Sequence, residues 1–306
     1  MHTVRRRRAL LGAALALVVA YTAFAGAHPS LNGSGQPLTH HDPTSLAPVR
    51  WPAHGQAALV ISHDRPAASR HEQPIPIASL AKVMTAYLTL KRYPLSDGDD
   101  GFTLTVTADQ AQAEIEDAAQ DQSVVAVRPG EQLTERQLLQ ALLIPSGNNI
   151  AEMLATRLDG SETRFVAEMN AEARALGMDH TNYSDPTGFD PGTVSTAADQ
   201  LRIFRRAMRF PVFRQIVSMP SVTLPIAGTL TNYNPLIGEG YAGKTGSSSA
   251  AGGCLAFFTH LSVGGHELTV VGVVLGQGEG GDTRAILAAA GEAAQQLVDS
   301  VARGPN

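Results

Sequence analysis

Pro76-Ile77-Ala78-Ser79-Leu80-Ala81-Lys82-Val83-Met84-Thr85-Ala86-Tyr87 reads as a chain entering the start of a buried helix, with Ser79 in its first turn and Lys82 one turn later. Residues three apart lie on one helix face, so the Lys82 ammonium reaches the Ser79 hydroxyl. A serine hydroxyl is a weak nucleophile until something takes its proton, and a desolvated lysine of lowered pKa does that. The helix N-terminus adds N–H donors and a positive dipole where an oxyanion would form. By itself, Ser-x-x-Lys more often marks an N-cap serine followed by a solvated lysine. Here Ile77, Leu80, Val83, Met84 and Tyr87 make the helix largely apolar, and a lysine in such a turn calls for a partner.

Two further stretches supply partners. Thr134-Glu135-Arg136-Gln137 is a capping box that leads into Leu138, Leu139, Leu142 and Leu143. Pro145 and Gly147 break that helix and Asn149 to Leu158 resumes it, so Ser146 and Asn148 sit on a turn between helices, free to point into a cleft. Taken alone, Ser146-Gly147-Asn148 is no more than a helix-linking turn with a capping serine and asparagine. Lys244-Thr245-Gly246 then opens a run of small residues leading to the apolar strand Cys254 to Phe258. Ser-x-x-Lys, Ser-x-Asn and Lys-Thr-Gly in that order form the triple of the β-lactamases and penicillin-binding proteins. The chain therefore resembles the penicillin-recognising serine hydrolases, and within them the low-molecular-mass D-alanyl-D-alanine carboxypeptidases.

The resemblance runs from about Trp51 to Val301 and includes Asp185-Pro186-Thr187-Gly188-Phe189, Ser195-Thr196-Ala197-Ala198-Asp199, Thr231-Asn232-Tyr233-Asn234 and Ala251-Gly252-Gly253-Cys254-Leu255. Asn149 departs from the aspartate common there, and Ser247 to Ser249 replace the usual Tyr-Thr after Lys-Thr-Gly. The resemblance implies that Ser79 attacks the carbonyl between two D-alanines of a peptidoglycan stem peptide, with Lys82 as general base. Ser146 would relay a proton to the leaving amine, and Asn148 would hold Lys82 and the substrate amide. Lys244 would polarise the relay and Thr245 would bind the terminal carboxylate. Gly246 and Ser247 extend the substrate-binding strand, the N–H groups of Ser79 and Ser247 forming the oxyanion hole. Arg284, near the start of the last helix, is the candidate for the family's additional basic residue, with a surface arginine as the competing reading. β-Lactams would be covalent inhibitors, and no metal or organic cofactor is implied.

Around this centre the chain reads in order. Arg5 to Arg8 precede an uncharged apolar run from Ala9, and Ala25-Gly26-Ala27 fits a cleavage site, so residues 1–27 read as a signal peptide. Ala9 to Ala27 are 19 uncharged residues, which also suits an uncleaved signal anchor and membrane association. Either way the rest is exported, periplasmic or extracytoplasmic. Residues 28–50, rich in Pro, Ser, Gly and His, read as a flexible linker. His40-His41-Asp42 and His54, His63 and His71 lack the spacing of a metal site. The catalytic domain is expected over 51–306. The lone Cys254 reads as a buried, inert strand residue. The net charge of −5 falls to −9 once the four arginines of the leader are set aside, leaving no footprint for nucleic acid. The carboxylates between Asp97 and Asp121 repeat at no spacing and read as a solvated face.

Strand signals occur at Gln56–Ser62, within Ala67–His71, and again from Val222, Tyr241, Cys254 and His266, the last two joined across Gly264-Gly265 as a hairpin. Helical patterns occupy the middle, and Asp282 to Val301 forms a final amphipathic helix. Strands at both ends and helices between match the mixed α/β, β-lactamase/transpeptidase-like fold that the resemblance implies: an antiparallel sheet flanked by helices, with a helical insertion. Three other functions share these residues. A serine β-lactamase needs a deacylating carboxylate in a Glu-x-x-Leu-Asn pattern, absent between Asn148 and Lys244. A D,D-endopeptidase or transpeptidase acting on crosslinked strands uses the same triple. A catalytically inactive wall-binding module would have lost nucleophilic or relay positions, all of which are present.

Overall fold

Strands buried on both faces read as continuous apolar runs, and three such runs form the centre of the molecule. The computed structural model describes residues 49–62, 64–278 and 280–302. The leader, most of the linker, His40-His41-Asp42 and His63 therefore lie outside the described residues. In chain order the elements are β1 (Gln56–Ile61), β2 (Ala67–Ala68), β3 (Ile75–Pro76), α1 (Ala81–Arg92), β4 (Thr103–Thr105) and α2 (Ala108–Ala118). There follow β5 (Gln132–Thr134), α3 (Glu135–Leu143), α4 (Asn148–Asp159), α5 (Glu162–Ala175), β6 (Val194–Ser195), α6 (Ala197–Ala207) and α7 (Pro211–Val217). The chain closes with β7 (Ser221–Leu224), β8 (Gly228–Thr231), β9 (Ala242–Ser248), β10 (Gly252–Val263), β11 (His266–Gln277) and α8 (Thr283–Ala302).

The main sheet has the order β2-β1-β11-β10-β9, antiparallel throughout. The first and last parts of the chain meet here, with Gln56 opposite Leu275 and Ile61 opposite Val270. The β10–β11 hairpin turns at Gly264 and Gly265, both at positive φ (58° and 81°), the conformation that lets a two-residue turn follow the strand twist. Side chains alternate between faces. Leu59, Leu255, Phe257, Val270 and Val274 meet Ala290, Ala294, Leu297 and Val298 of α8. Val60, Ala256 and Val273 point the other way, into the core built with α1, α3, α4 and α6. Val49 and Trp51 pack against the α8 layer, and Arg50 N–H donates to Ser300 Oγ.

The mixed α/β architecture is the expected one, with local differences. Ser79 lies in a 3₁₀ turn, Ala78–Leu80, that precedes α1 rather than in the first α-helical turn. The region 97–121 contains β4 and a capped helix, α2, whose Thr107 and Gln110 form a reciprocal capping box. Asp117 is an exception to that region's solvated face: it is buried, its Oδ1 accepting from Gln122 Nε2. The strand expected from Val222 is β7, paired with β8 as a hairpin, while the seven-residue helix α7, opened by Pro211, is too brief to have carried a periodic signal.

Candidate active site

The 3₁₀ turn before α1 presents Ser79, half-buried, while Lys82 in the first turn of the helix is fully buried. Three segments from distant parts of the chain close around the lysine. Its Nζ lies 2.8 Å from Ser79 Oγ, 2.6 Å from Asn148 Oδ1, 3.1 Å from the Thr187 carbonyl oxygen and 3.4 Å from Ser146 Oγ. Lys244 approaches from β9, its Nζ 2.9 Å from Ser146 Oγ and donating to its neighbour's carbonyl, Thr245 O, at 2.8 Å. Ser146 thus stands between two lysines, and its hydroxyl bridges them.

Burial strips water from both amines and so lowers both pKa values. For Lys82 the drop is to about 7, with burial the main cause, opposed by the nearby carboxylates of Asp185 and Glu152. Lys244 is pushed well below its ordinary value, first by burial and then by the charge of Lys82. Asn148 Oδ1, Thr187 O and, more distantly, Ser146 Oγ accept from the amine. Once deprotonated, Lys82 carries a lone pair with the Ser79 hydroxyl 2.8 Å away. That arrangement can take the serine proton.

Backbone strain marks the same place. Ser146 (φ 65°) and Ala78 (φ 46°) are non-glycine residues in the left-handed region, one beside each half of the cluster. Gly246 is needed for space. A Cβ there would sit 2.7 Å from Ile77 O and 3.2 Å from Ser79 N, so β9 runs directly against the nucleophile turn. This contact sets the Lys244-Thr245-Gly246 edge beside the Ser79 N–H, as an oxyanion hole shared between the two segments requires.

The triple's side chains Ser79, Lys82, Ser146, Asn148 and Lys244 come together, with Thr245, Gly246 and Ser247 continuing along β9. Arg284 is not brought into hydrogen bonding with them; it is exposed at the start of α8 and makes no hydrogen bond or ion pair among the described residues. Asn149, the familial departure, holds structure: its amide exchanges two bonds with the backbone of Val125, at 3.0 and 2.9 Å. Cys254 is buried, its thiol pushed up to about 12 by that burial, and takes no part.

Sequence reasoning missed the supports. The Thr187 carbonyl is held by a loop organised on Asp185, whose carboxylate accepts from Thr187 Oγ1, Thr193 Oγ1 and Phe189 N, the last at 2.9 Å. Thr85 Oγ1 on α1 donates to Pro186 O at 2.9 Å, and a Cβ on Gly188 would overlap Ala78 O, so the loop is clamped to the nucleophile turn. Gln122 Oε1 accepts from Asn148 Nδ2, which turns Oδ1 toward Lys82. Glu152, one turn beyond Asn148, has a pKa raised to about 7 by burial and lies within the field of Lys82. The Asp185-Pro186-Thr187-Gly188-Phe189 signature was the one available signal, and its role needed the fold. Among the described residues no group of three or more His, Cys, Asp or Glu side chains could hold a metal ion.

A sheet flanked by helices, with a serine and lysine at a helix start and a Lys-Thr-Gly strand across from them, defines a penicillin-recognising serine hydrolase. A profile of the D-alanyl-D-alanine carboxypeptidase family, peptidase S11, matches residues 66–278, and the chain belongs to that family. It is 39% identical over 185 residues to the D-alanyl-D-alanine carboxypeptidase DacB2 of Mycobacterium tuberculosis, a match covering 58% of this chain and 59% of that protein. It thus spans about three fifths of that relative's length. It is 29% identical over 228 residues to a D-alanyl-D-alanine endopeptidase of Escherichia coli, covering 69% of this chain and 68% of that one. The crystal structure of the Streptomyces K15 DD-transpeptidase superposes with a TM-score of 0.68 at 25% identity, over 82% of this chain and 98% of that chain.

Proposed function

We propose that the protein is a serine D-Ala-D-Ala carboxypeptidase, acting outside the cytoplasm, that trims the terminal D-alanine from peptidoglycan stem peptides through an acyl-enzyme on Ser79. The observation that carries this reading is the Lys82 amine, fully buried and 2.8 Å from Ser79 Oγ, with Asn148 Oδ1, the Thr187 carbonyl and Ser146 Oγ around it. Lys82 accepts the Ser79 proton as Oγ attacks the penultimate carbonyl. The oxyanion is met by the N–H groups of Ser79 and Ser247. As the tetrahedral intermediate collapses the C–N bond breaks, and Ser146, between the two lysines, passes a proton to the departing amine. Lys244, bonded to Ser146 Oγ, keeps the relay polarised and Thr245 binds the terminal carboxylate, while Asn148 orients Lys82 and the substrate amide. Water then attacks the ester, with Lys82 again taking the proton, and releases the shortened peptide and free Ser79. Arg284 would add positive charge near the leaving carboxylate. A β-lactam acylates the same hydroxyl. Export through the N-terminal segment, cleaved or retained as an anchor, would deliver the enzyme to this substrate.

The test is a D-alanine assay on a peptide ending in D-Ala-D-Ala, with a crosslinked dimer as the second substrate. Release of free D-alanine from the linear peptide supports the carboxypeptidase. Cleavage of the crosslink alone, without D-alanine, would transfer the reading to an endopeptidase, the activity named for the Escherichia coli relative.

A further inference from the structure

Away from Ser79, α6 exposes a row of arginines that the chemistry above leaves unused. Leu201, Ile203, Phe204 and Ala207 bury one side of this helix. Its other side carries Arg202, Arg205 and Arg206, continued by Arg209 just past the end, and all four are exposed. With Leu176 from the end of α5 they line a depression of about 250 Å³. The row runs for about 10 Å at 1.5 Å per residue.

The charges are poorly matched within the protein. Arg202 Nε lies 3.7 Å from Asp199 Oδ1, but the other oxygen of that carboxylate already accepts from His180 N and Thr181 Oγ1. Glu172, on the neighbouring helix, is taken up by Lys91 and Tyr87. Among the described residues the side chains of Arg205, Arg206 and Arg209 have no hydrogen-bond or ion-pair partner. The helix C-terminus favours cations in its last turn, where Arg205 and Arg206 stand, with Arg209 just past it. It does not remove the repulsion among like charges three and four residues apart, which Arg202 extends back by a further turn. A chain of net charge −5 has nevertheless gathered four arginines within eight residues.

The geometry points to a binding site for a phosphate group in this depression. Guanidinium forks pair bidentately with phosphate oxygens. A phosphate also supplies the negative charge and the several oxygens that three unpartnered arginines call for. Such a group reaches the pocket either on a soluble molecule or on a lipid headgroup.

The full-length protein is titrated calorimetrically with inorganic pyrophosphate at low salt, and sedimented with vesicles of phosphatidylglycerol or of phosphatidylcholine. The expected result is saturable pyrophosphate binding that weakens as NaCl is raised and drops at least ~10-fold in Arg205→Gln/Arg206→Gln, the loss of about one charge-assisted hydrogen bond. Arg128→Gln, on another surface, should bind as wild type does. The charge-retaining pair Arg205→Lys/Arg206→Lys, with an unchanged thermal midpoint, should fall between them and guards against loss of fold in the glutamine variant. Capture by phosphatidylglycerol vesicles that pyrophosphate competes away, and that the glutamine variant loses, identifies a lipid headgroup as the source. Pyrophosphate binding without such capture identifies a soluble phosphate. No saturable binding by wild type, or binding unchanged in both variants, overturns the site.

Discussion

Lys82 is the residue on which the proposed chemistry turns, because a buried amine must lose its charge before it can accept the Ser79 proton. Its pKa is lowered to about 7, burial being the main cause. A lysine depressed in this way is protonated below that value and neutral above it, so base strength is gained as pH rises. The acylation rate by a penicillin should therefore climb about tenfold per pH unit up to about 7 and level off above it. Measuring that rate constant from pH 5 to 9 checks the point. A rate flat across pH 6 to 8 would mean that another group takes the proton. Ser146 shows the same logic from the acceptor side: held at a positive φ between two amines, it is a strained residue kept where a proton can pass through it.

At the scale of elements, the Asp185 loop is what holds the Thr187 carbonyl against Lys82. Asparagine at 185 presents N–H groups where the carboxylate accepted from Thr187 and Phe189, so Asp185→Asn should release the loop. A shift of about 1 Å at the lysine is worth roughly 10²-fold in rate. The expected outcome is an acylation rate reduced on that order in a protein that still melts cooperatively, read by fluorescent-penicillin labelling beside a thermal scan; wild-type labelling would show the loop to be dispensable. This loop also marks the limit of what the sequence reveals. Ser79 and Lys82 were legible because three-residue spacing on an apolar helix leaves a lysine nowhere to go without a partner. The β10–β11 hairpin was legible from Gly264-Gly265. The supports Asp185, Thr187 and Gln122 were not: Thr187 acts through a carbonyl oxygen, which has no residue type, it and Gln122 reach across 105 and 26 positions of chain, and Asp185 acts only through the loop that holds Thr187. Strand β8 went unread because four residues with alternate side chains exposed and none buried show no apolar period.

For the whole molecule, the catalytic face and the stabilising face of the sheet are separate layers. Ser79 and Lys82 lie on the side of α1, while Leu297 of α8 is fully buried on the opposite face among Leu59, Phe257 and Val274. Leu297→Ala should thus destabilise the fold by about 2–5 kcal/mol through the cavity it leaves, and leave the acylation rate of the remaining folded protein unchanged. Denaturant melts and labelling kinetics on one preparation would show it, and a rate that fell in step with stability would mean the two layers are coupled. The family places the chain among penicillin-recognising enzymes, and the central claim is that its covalent chemistry passes through one hydroxyl. Intact-mass spectrometry after a penicillin pulse tests this most directly. Wild type should gain the mass of one penicillin, mapped by peptide digestion to Ser79, and the adduct should persist for minutes, whereas Ser79→Ala, folded by its thermal scan, should gain none. An adduct of equal yield on Ser79→Ala, or on wild type at any other residue, would contradict the account.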